Sequence, residues 1–237
     1  MEAIILVGGF GTRLRSVVSD VPKPMALVNG RPFLEILLIE LKNKGFIKVI
    51  LCVGYLKEKI IDYFSQVHLG IEILYSVESE PLGTGGAVKK AMTLASTDHI
   101  YVLNGDTFQE FDPKVLKQQW AKFKSAVLLL RSPNDEQRYG GVEVDGQTIT
   151  NFKTKQASSD CYINAGVYIL PTTIFHGHEL PPRFSLEEFF EKNSGTLKMR
   201  YVIRLDNKFA DIGTPLDYAR FIELEKTRQN LDGEKFV

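Results

Sequence analysis

Short apolar runs alternate with helical patterns along the first half of the chain. Residues Ala3–Val7 form a continuous apolar run, the pattern of a strand buried on both faces. In Pro32–Lys44 the apolar residues recur at helical spacing. The same alternation continues through strand Lys48–Val53, helix Lys57–Ser65, strand Ile71–Ser76, helix Thr84–Leu94 and strand His99–Leu103. Strands separated by helices predict an α/β fold, with a Rossmann-like, mostly parallel sheet and helices on both faces.

The pattern changes after a helix predicted at Pro113–Lys124. Strand-like segments then follow one another across loops and a tight turn at Asp145-Gly146. These segments are Ala126–Leu130, Gly141–Val144, Thr148–Phe152 and Cys161–Leu170. They predict a small antiparallel elaboration on one side of the parallel sheet. A short helix at Leu186–Glu191, a strand near Met199–Leu205 and a final helix at Pro215–Lys226 complete the expected elements.

Composition and charge narrow the class of protein. The chain has 237 residues, of which 44% are hydrophobic and 24% charged, as in globular proteins. Lysine plus arginine and aspartate plus glutamate number 29 each, so the chain lacks the basic excess that favours nucleic acids. No apolar run approaches the roughly 20 residues that span a bilayer, and the acidic Glu2 is unlike a secretory signal. We expect a cytoplasmic protein with no nucleic-acid or membrane partner.

A glycine-rich loop, Gly8–Leu14 (GGFGTRL), directly follows the first strand. Glycines at the carboxyl end of a parallel strand let backbone N–H groups approach an anion, and Arg13 adds a permanent charge suited to phosphate. A tight turn without a ligand would have the same pattern. Two familiar nucleotide motifs are excluded, because Leu14 replaces the last glycine or alanine of a dinucleotide fingerprint and no Gly-Lys-Ser/Thr triplet ends the loop.

A second segment, Pro22–Met25 (PKPM), presents Lys23 between two prolines that restrict the backbone on both sides. Alone, it is also compatible with a solvated loop lysine. Together the two segments resemble the sugar-1-phosphate nucleotidyltransferases, and the resemblance implies the nucleotide-diphospho-sugar transferase fold. It implies that Gly8, Gly9, Gly11 and Thr12 cradle a nucleoside triphosphate. It also implies that Arg13 holds the β- and γ-phosphates and that Lys23 contacts the phosphate at the reacting centre.

The segment Glu80–Gly86 (EPLGTGG) comes before a predicted helix. Thr84 is a suitable residue to cap that helix, and the glycines would permit close approach of a flat base. A plain turn into the helix would have the same sequence. The family resemblance implies that Glu80, Leu82, Gly83 and Thr84 contact the nucleobase, and the segment is more similar to guanylyltransferases than to thymidylyltransferases.

Two carboxylates are candidate metal ligands. Asp106 follows Asn104-Gly105 at the end of a strand, and a carboxylate facing a triphosphate makes sense with a divalent cation between them. Asp211 lies in a short apolar stretch before Pro215, where a capping or surface role is the alternative. The resemblance pairs Asp106 and Asp211 as ligands of Mg²⁺, and it makes Arg13, Lys23 and Asp106 the catalytic residues.

The resemblance extends to the side of the site that would hold the sugar phosphate. It implies contacts from five residues: Asn104, Gly140, Thr154, Lys155 and Asn164. Thr154 stands where the family usually has a glutamate that binds sugar hydroxyls, so the hydroxyl pattern that this chain recognises stays open. We interpret Ser185–Glu188 as a helix cap with a structural role.

The implied reaction is the Mg²⁺-dependent attack of a sugar 1-phosphate on the α-phosphorus of GTP. We expect one domain, 1–237, with residues 1–110 mainly binding nucleotide and residues 111–237 mainly binding sugar phosphate. Overall the sequence is most similar to the bacterial heptose-1-phosphate guanylyltransferases, which supply surface polysaccharide synthesis. Two alternatives stay open, namely mannose-1-phosphate guanylyltransferases and a non-catalytic regulatory subunit that binds nucleotide sugar. The sequence does not decide between a monomer and a homo-oligomer.

Overall fold

The alternation of strands and helices is present in the computed structural model, which describes residues 1–9, 11, 14, 17–18, 20–132, 141–153, 161–204 and 209–233. The elements of the first half are β1 (Glu2–Leu6), β2 (Leu27–Val28), β3 (Arg31–Pro32), α1 (Phe33–Asn43), β4 (Lys48–Val53), α2 (Lys57–Phe64), β5 (Val67–His68), β6 (Ile71–Val77), α3 (Gly83–Ala91) and β7 (His99–Asn104). Short 3₁₀ turns at Lys23–Met25 and Met92–Leu94 lie between them.

The second half begins with a short strand and continues with seven longer elements before a second short strand. Its elements are β8 (Thr107–Gln109), α4 (Pro113–Phe123), β9 (Val127–Arg131), β10 (Gly141–Asp145), β11 (Thr148–Lys153), β12 (Tyr162–Pro171), α5 (Leu186–Leu197), β13 (Arg200–Arg204), β14 (Phe209–Asp211) and α6 (Pro215–Gly233). Among the described residues, no helix is long and apolar enough to cross a bilayer.

One ten-stranded sheet organises the chain, and its longest path runs β11-β10-β12-β7-β1-β4-β6-β5. Strands β7, β1, β4 and β6 are parallel, as the sequence predicts. Strand β12 pairs antiparallel with β7 and with both β9 and β10, so the predicted antiparallel elaboration is confirmed as a direct extension of the parallel sheet. The pair β9–β13 is parallel.

The central strands β1, β4 and β7 are buried on both faces, because helices cover both. Ile5 packs in one apolar cluster with side chains of α1, α2 and α4, including Leu38 and Trp120. The adjacent Ile4 packs in another cluster with α3 and α5, including Val88 and Phe190. This arrangement explains the continuous apolar run of β1, since successive side chains of a strand point to opposite faces.

Helix α5 is longer than the sequence predicts. The predicted helix ends at Glu191, but α5 continues through Ser194-Gly195 to Leu197. Leu197 packs against the apolar cluster on that face of the sheet, and the left-handed conformation of Lys198 ends the helix. Packing of Leu197 therefore outweighs the weak helix propensity of the serine and glycine.

A two-stranded ribbon of β8 and β14 connects distant parts of the chain. Asp211 lies opposite Thr107 in this antiparallel pair, and the Ile212 N–H donates to the Asp106 carbonyl at 3.0 Å. Helix α6 follows at once, and its Phe221 packs edge-on against Phe33 of α1. The ribbon places Asp106 and Asp211 side by side although 105 residues separate them.

Candidate functional site

A cavity of about 430 Å³ opens at the carboxyl ends of β1 and β7, the edge where open α/β sheets bind ligands. Eight of the predicted site residues line it: Gly8, Gly9, Gly11, Lys23, Gly83, Thr84, Asn104 and Asp106. Asp211 does not line the cavity itself, but Gly213, two residues later, does. Thus residues predicted for the phosphates, the base and the metal meet at one cavity.

The other predicted residues either do not line the cavity or lie outside the described part of the chain. Glu80 is exposed, and Glu80, Leu82 and Asn164 are not among the residues that line the cavity. Five predicted residues lie outside the described part of the chain, so their roles stay predictions: Thr12, Arg13, Gly140, Thr154 and Lys155.

Three charged side chains converge beside the cavity. The Lys23 ammonium lies 2.7 Å from Asp106 Oδ2 and 3.5 Å from Asp211 Oδ1. Lys23 is 9% exposed, Asp211 15% and Asp106 40%, so the group is partly sheltered from water and Asp106 faces the opening. Asp211 Oδ1 also accepts the Gly213 N–H, which fixes the carboxylate in the turn before α6.

The two carboxylates fit a divalent cation. They flank a single position of positive charge, here held by the lysine ammonium. Among the described residues, no group of three or more His, Cys, Asp or Glu side chains could hold a metal ion. Mg²⁺ commonly uses only one or two carboxylates and completes its shell with water and substrate phosphates. The donor set therefore matches a cation that binds together with a nucleotide.

The glycine loop is packed more tightly than a simple ligand cradle requires. A Cβ on Gly11, which has φ +58°, would lie 3.0 Å from the Lys23 Cβ. A Cβ on Gly8 would lie 2.9 Å from Glu78 Oε1, whereas one on Gly9 would meet no atom within 4 Å. Gly8 and Gly11 thus make room for neighbouring side chains, and Gly9 leaves open space.

The glycines of α3 serve a purpose that the sequence does not indicate. A Cβ on Gly83 would approach the Phe184 carbonyl oxygen to 2.5 Å, and one on Gly85 would overlap the Phe184 ring at 2.2 Å. A Cβ on Gly86 would lie 2.7 Å from the Pro182 oxygen. The space that we expected a base to use beside these glycines is therefore filled by residues 182–184, and the cavity begins at Gly83 and Thr84.

The prediction that Thr84 caps its own helix is wrong. Helix α3 begins at Gly83, and the Thr84 hydroxyl accepts the Leu186 N–H at 2.8 Å and donates to Glu187 at 2.9 Å. Ser185 caps α5 as predicted, since its oxygen accepts the Glu188 N–H, and its hydroxyl donates to the same Glu187 carboxylate. We call these hydrogen bonds among Thr84 and residues 185–188 the α3–α5 clasp.

Asn104 and Asn164 occupy different environments. Asn104 lines the cavity and packs against Gly166, where a Cβ would come within 2.7 Å of its amide nitrogen. Asn164 accepts the Gly166 N–H at 3.1 Å and donates to the Tyr168 hydroxyl at 2.6 Å. The polar groups of Asn164 therefore bind within β12, in the irregular stretch of the strand where Asn104 packs against Gly166.

Two residues at the cavity have no assigned role in the sequence analysis. Glu78 is half-buried, one of its oxygens accepts the Leu82 N–H at 2.9 Å, and desolvation by burial raises its pKa. Arg183 is exposed at the rim and forms no ion pair with any residue within the described ranges. Glu78 directly follows β6, so the rule that ligands bind at strand ends could have found it. Arg183 follows two prolines in a loop and carries no comparable signal.

Comparison with known proteins gives a consistent result. The sequence profile of the nucleotidyl transferase family matches residues 2–227. The chain is 46% identical to D-glycero-alpha-D-manno-heptose 1-phosphate guanylyltransferase of Campylobacter jejuni over 223 residues, 94% of this chain and 99% of the relative. It is 42% identical to the enzyme of the same name from Aneurinibacillus thermoaerophilus, over 93% of this chain and 96% of that one.

A solved structure of similar fold is HddC from Yersinia pseudotuberculosis, complexed with GMP-PN. It superimposes with a TM-score of 0.81 at 33% sequence identity, covering 94% of this chain and 98% of HddC. The similarity therefore spans both halves of the sheet rather than one shared motif.

Proposed function

The chain belongs to the nucleotidyl transferase family, and from this premise we propose that it transfers GMP from GTP to D-glycero-α-D-manno-heptose 1-phosphate. The products are GDP-heptose and pyrophosphate, and the nucleotide sugar would serve bacterial surface polysaccharide synthesis. The observation that carries the proposal is the meeting of Lys23, Asp106 and Asp211 beside the cavity at the ends of β1 and β7. The guanylyltransferase relatives and the GMP-PN complex supply the choice of base and sugar.

The proposed reaction requires charge neutralisation more than it requires proton transfer. A phosphate oxygen of the sugar 1-phosphate bonds to the α-phosphorus, the bond to the bridging oxygen breaks, and pyrophosphate leaves with the electron pair. The attacking phosphate is already ionised at neutral pH, so it needs no strong general base. The main barrier is the approach and alignment of anions.

The charged residues would each contribute to neutralising and aligning the phosphates. Lys23 would stabilise the charge that develops on the α-phosphate, and Arg13 would stabilise the leaving pyrophosphate. Asp106 and Asp211 would hold Mg²⁺, which when bound supplies further positive charge to phosphate oxygens. Arg183 lies at the rim beside α3 as an exposed guanidinium whose fork suits phosphate, so it is a further candidate contact for a phosphate group.

Glu78 provides a physical reason for a preference for guanine. Guanine carries two adjacent donors on one edge, the ring N1–H and the exocyclic amino group. A carboxylate accepts such a pair with two nearly parallel hydrogen bonds, whereas the corresponding ring position of adenine is an acceptor. The Leu82 N–H holds Glu78 in place, so the carboxylate is oriented before the base arrives.

A pyrophosphate-release panel tests the proposal directly. Purified protein is given GTP, ATP, CTP, UTP or dTTP, each with heptose, mannose or glucose 1-phosphate. We expect the highest kcat/KM with GTP and the heptose substrate. Exclusive use of UTP or dTTP would refute the guanylyl assignment, and tight nucleotide-sugar binding without pyrophosphate release from any pair would favour a regulatory subunit.

The base assignment has its own test in Glu78→Gln. Replacing one carboxylate oxygen by an amide group sets a donor against a donor of guanine, so the ratio of kcat/KM for GTP to that for ATP should fall by about tenfold or more. Glu72→Gln is the matched control, because Glu72 is an exposed glutamate of β6 that does not line the cavity. Equal effects of the two substitutions would remove Glu78 from base recognition.

A further inference from the structure

Lys23 lies where two carboxylates would otherwise face each other. Its ammonium donates to Asp106 at 2.7 Å and reaches Asp211 at 3.5 Å, and the lysine is 9% exposed. Two carboxylates that share one ammonium repel each other, and the repulsion is stronger where water is partly excluded, so a positive charge between them stabilises the pair. In this structure the lysine supplies that positive charge.

This position conflicts with the role that the proposed reaction gives to Lys23. An ammonium that is hydrogen-bonded to two carboxylates cannot at the same time point all its donors at an α-phosphate. The two aspartates and the lysine together carry one net negative charge, which would repel a triphosphate. For the nucleotide to bind, the carboxylates need another counter-ion and the lysine has to turn toward the phosphate.

The local structure permits such a change without moving the backbone. Pro22 and Pro24 flank Lys23 in a 3₁₀ turn, and Gly11 packs against its Cβ, so the start of the side chain is fixed. The four-carbon stem beyond the Cβ is flexible, and the ammonium at its end is a compact charge that can exchange partners. The carboxylates are held separately by the β8–β14 ribbon, which does not include Lys23.

We propose that Lys23 is the internal counter-ion of Asp106 and Asp211 in the nucleotide-free protein and yields this position to the divalent cation that enters with the nucleotide. The inference rests on the proposed function for the identity of the nucleotide. It adds that the lysine competes with the metal for the same two carboxylates. Metal binding is therefore weak until substrate phosphates both complete the metal shell and attract the released ammonium.

The competition predicts that removing the lysine charge strengthens metal binding. In nucleotide-free protein, Lys23→Met should bind Mn²⁺ about tenfold or more tightly than the parent chain, because the two carboxylates lose their other cation. Lys23→Arg keeps the charge and should bind Mn²⁺ as weakly as the parent. The double variant Lys23→Met with Asp211→Asn should lose the gain, since one of the two carboxylates is gone.

Electron paramagnetic resonance of free Mn²⁺ at room temperature gives these affinities without using the transfer reaction. Lys117→Met, an exposed lysine of α4 that does not line the cavity, is the matched control and should not change the affinity. If Lys23→Met binds Mn²⁺ no more tightly than the parent chain, the exchange is refuted, whether or not the pyrophosphate panel identifies a guanylyltransferase.

A measurement on the unaltered chain covers the case in which Lys23→Met fails to fold. The lysine Cε nuclei are labelled with ¹³C, and the Lys23 signal is identified as the one that is missing from Lys23→Arg. Saturating Mg²⁺ with a β,γ-imido GTP analogue should shift this signal, because the ammonium leaves the carboxylates. An unchanged Lys23 signal at saturation would show that the lysine keeps its partners and would overturn the inference.

Discussion

The two walls of the cavity are built by different kinds of interaction. The charged wall depends on strand ends, since β7 leads to Asp106 and the β8–β14 ribbon brings Asp211 beside it. The wall formed by α3 depends on packing, since residues 182–184 fill the space left by Gly83, Gly85 and Gly86. The comparison teaches that the position of one wall is set by which strand ends meet, and that of the other by which residues fill the space beside its glycines.

The largest effect is expected from removing the Asp106 carboxylate from the charged wall of the cavity. Asp106→Ala removes one of the two carboxylates beside Lys23, and turnover should fall by about 10²–10³-fold because charge at the reacting phosphate is no longer balanced. Sugar-phosphate binding should change much less, since Asp106 is assigned to the metal. Steady-state kinetics and isothermal titration measure the two effects. Asp62→Ala, at an exposed position of α2, is the control, and full Mg²⁺-dependent turnover of Asp106→Ala would end the metal assignment.

A smaller effect is expected from adding a side-chain carbon at Gly83, in the cavity wall formed by α3. Gly83→Ala places a Cβ 2.5 Å from the Phe184 oxygen at a residue with φ +71°, so it should cost about 1–3 kcal/mol of unfolding free energy and raise the KM for GTP. Urea unfolding and kinetics measure both. Gly195→Ala has open space around its new Cβ within α5 and should be neutral or stabilising. Equal stability of the two variants would mean that residues 182–184 do not press on Gly83.

A further prediction concerns the hydrogen bonds of the Thr84 hydroxyl in the α3–α5 clasp. Thr84→Val removes the hydroxyl that joins Leu186 and Glu187, which should cost about 1–2 kcal/mol of unfolding free energy. Thr84→Ser keeps the hydroxyl and should retain most of that stability. If serine and valine behave alike in urea unfolding, the hydroxyl does not hold the wall in place.

The smallest expected effect concerns Glu78. Burial raises its pKa, so the folded state binds a proton more readily than the unfolded chain. The contribution of Glu78 to stability is therefore greatest at low pH and falls as pH rises from the usual glutamate range through the raised pKa. Glu78→Gln should lack this loss, so the variant should gain stability relative to the parent chain as pH rises. Thermal unfolding across a pH series measures the difference, and parallel curves would contradict the burial effect.

The sequence predicts the regular elements well where the pattern is long. The bounds of β4 match the predicted strand Lys48–Val53, and the apolar run of β1 indicates burial on both faces before any contact is known. Strands of two or three residues, such as β8 and β14, have too few positions to show a period. The ribbon that joins Asp106 to Asp211 is therefore invisible in the sequence, although both aspartates could be nominated.

Some residues of the candidate site could likewise be predicted from the sequence, and others could not. Motifs and resemblance place Lys23, Asp106, Gly8, Gly9 and Gly11 in one predicted site, and these residues do meet at one cavity. The partners of Thr84 could not be predicted, because a hydroxyl binds whatever tertiary structure brings to it. Arg183 was missed for a related reason, since a lone cation in a proline-rich loop gains meaning only when the loop folds over α3.

The central claim is that Lys23, Asp106 and Asp211 act on one bound triphosphate. The most direct measurement is a crystal structure with Mn²⁺ and a β,γ-imido GTP analogue, using anomalous scattering to locate the metal. The account predicts an Mn²⁺ peak between Asp106 and Asp211 and the Lys23 ammonium on the α-phosphate. Nucleotide bound in a different hollow, or metal remote from both aspartates, would contradict it.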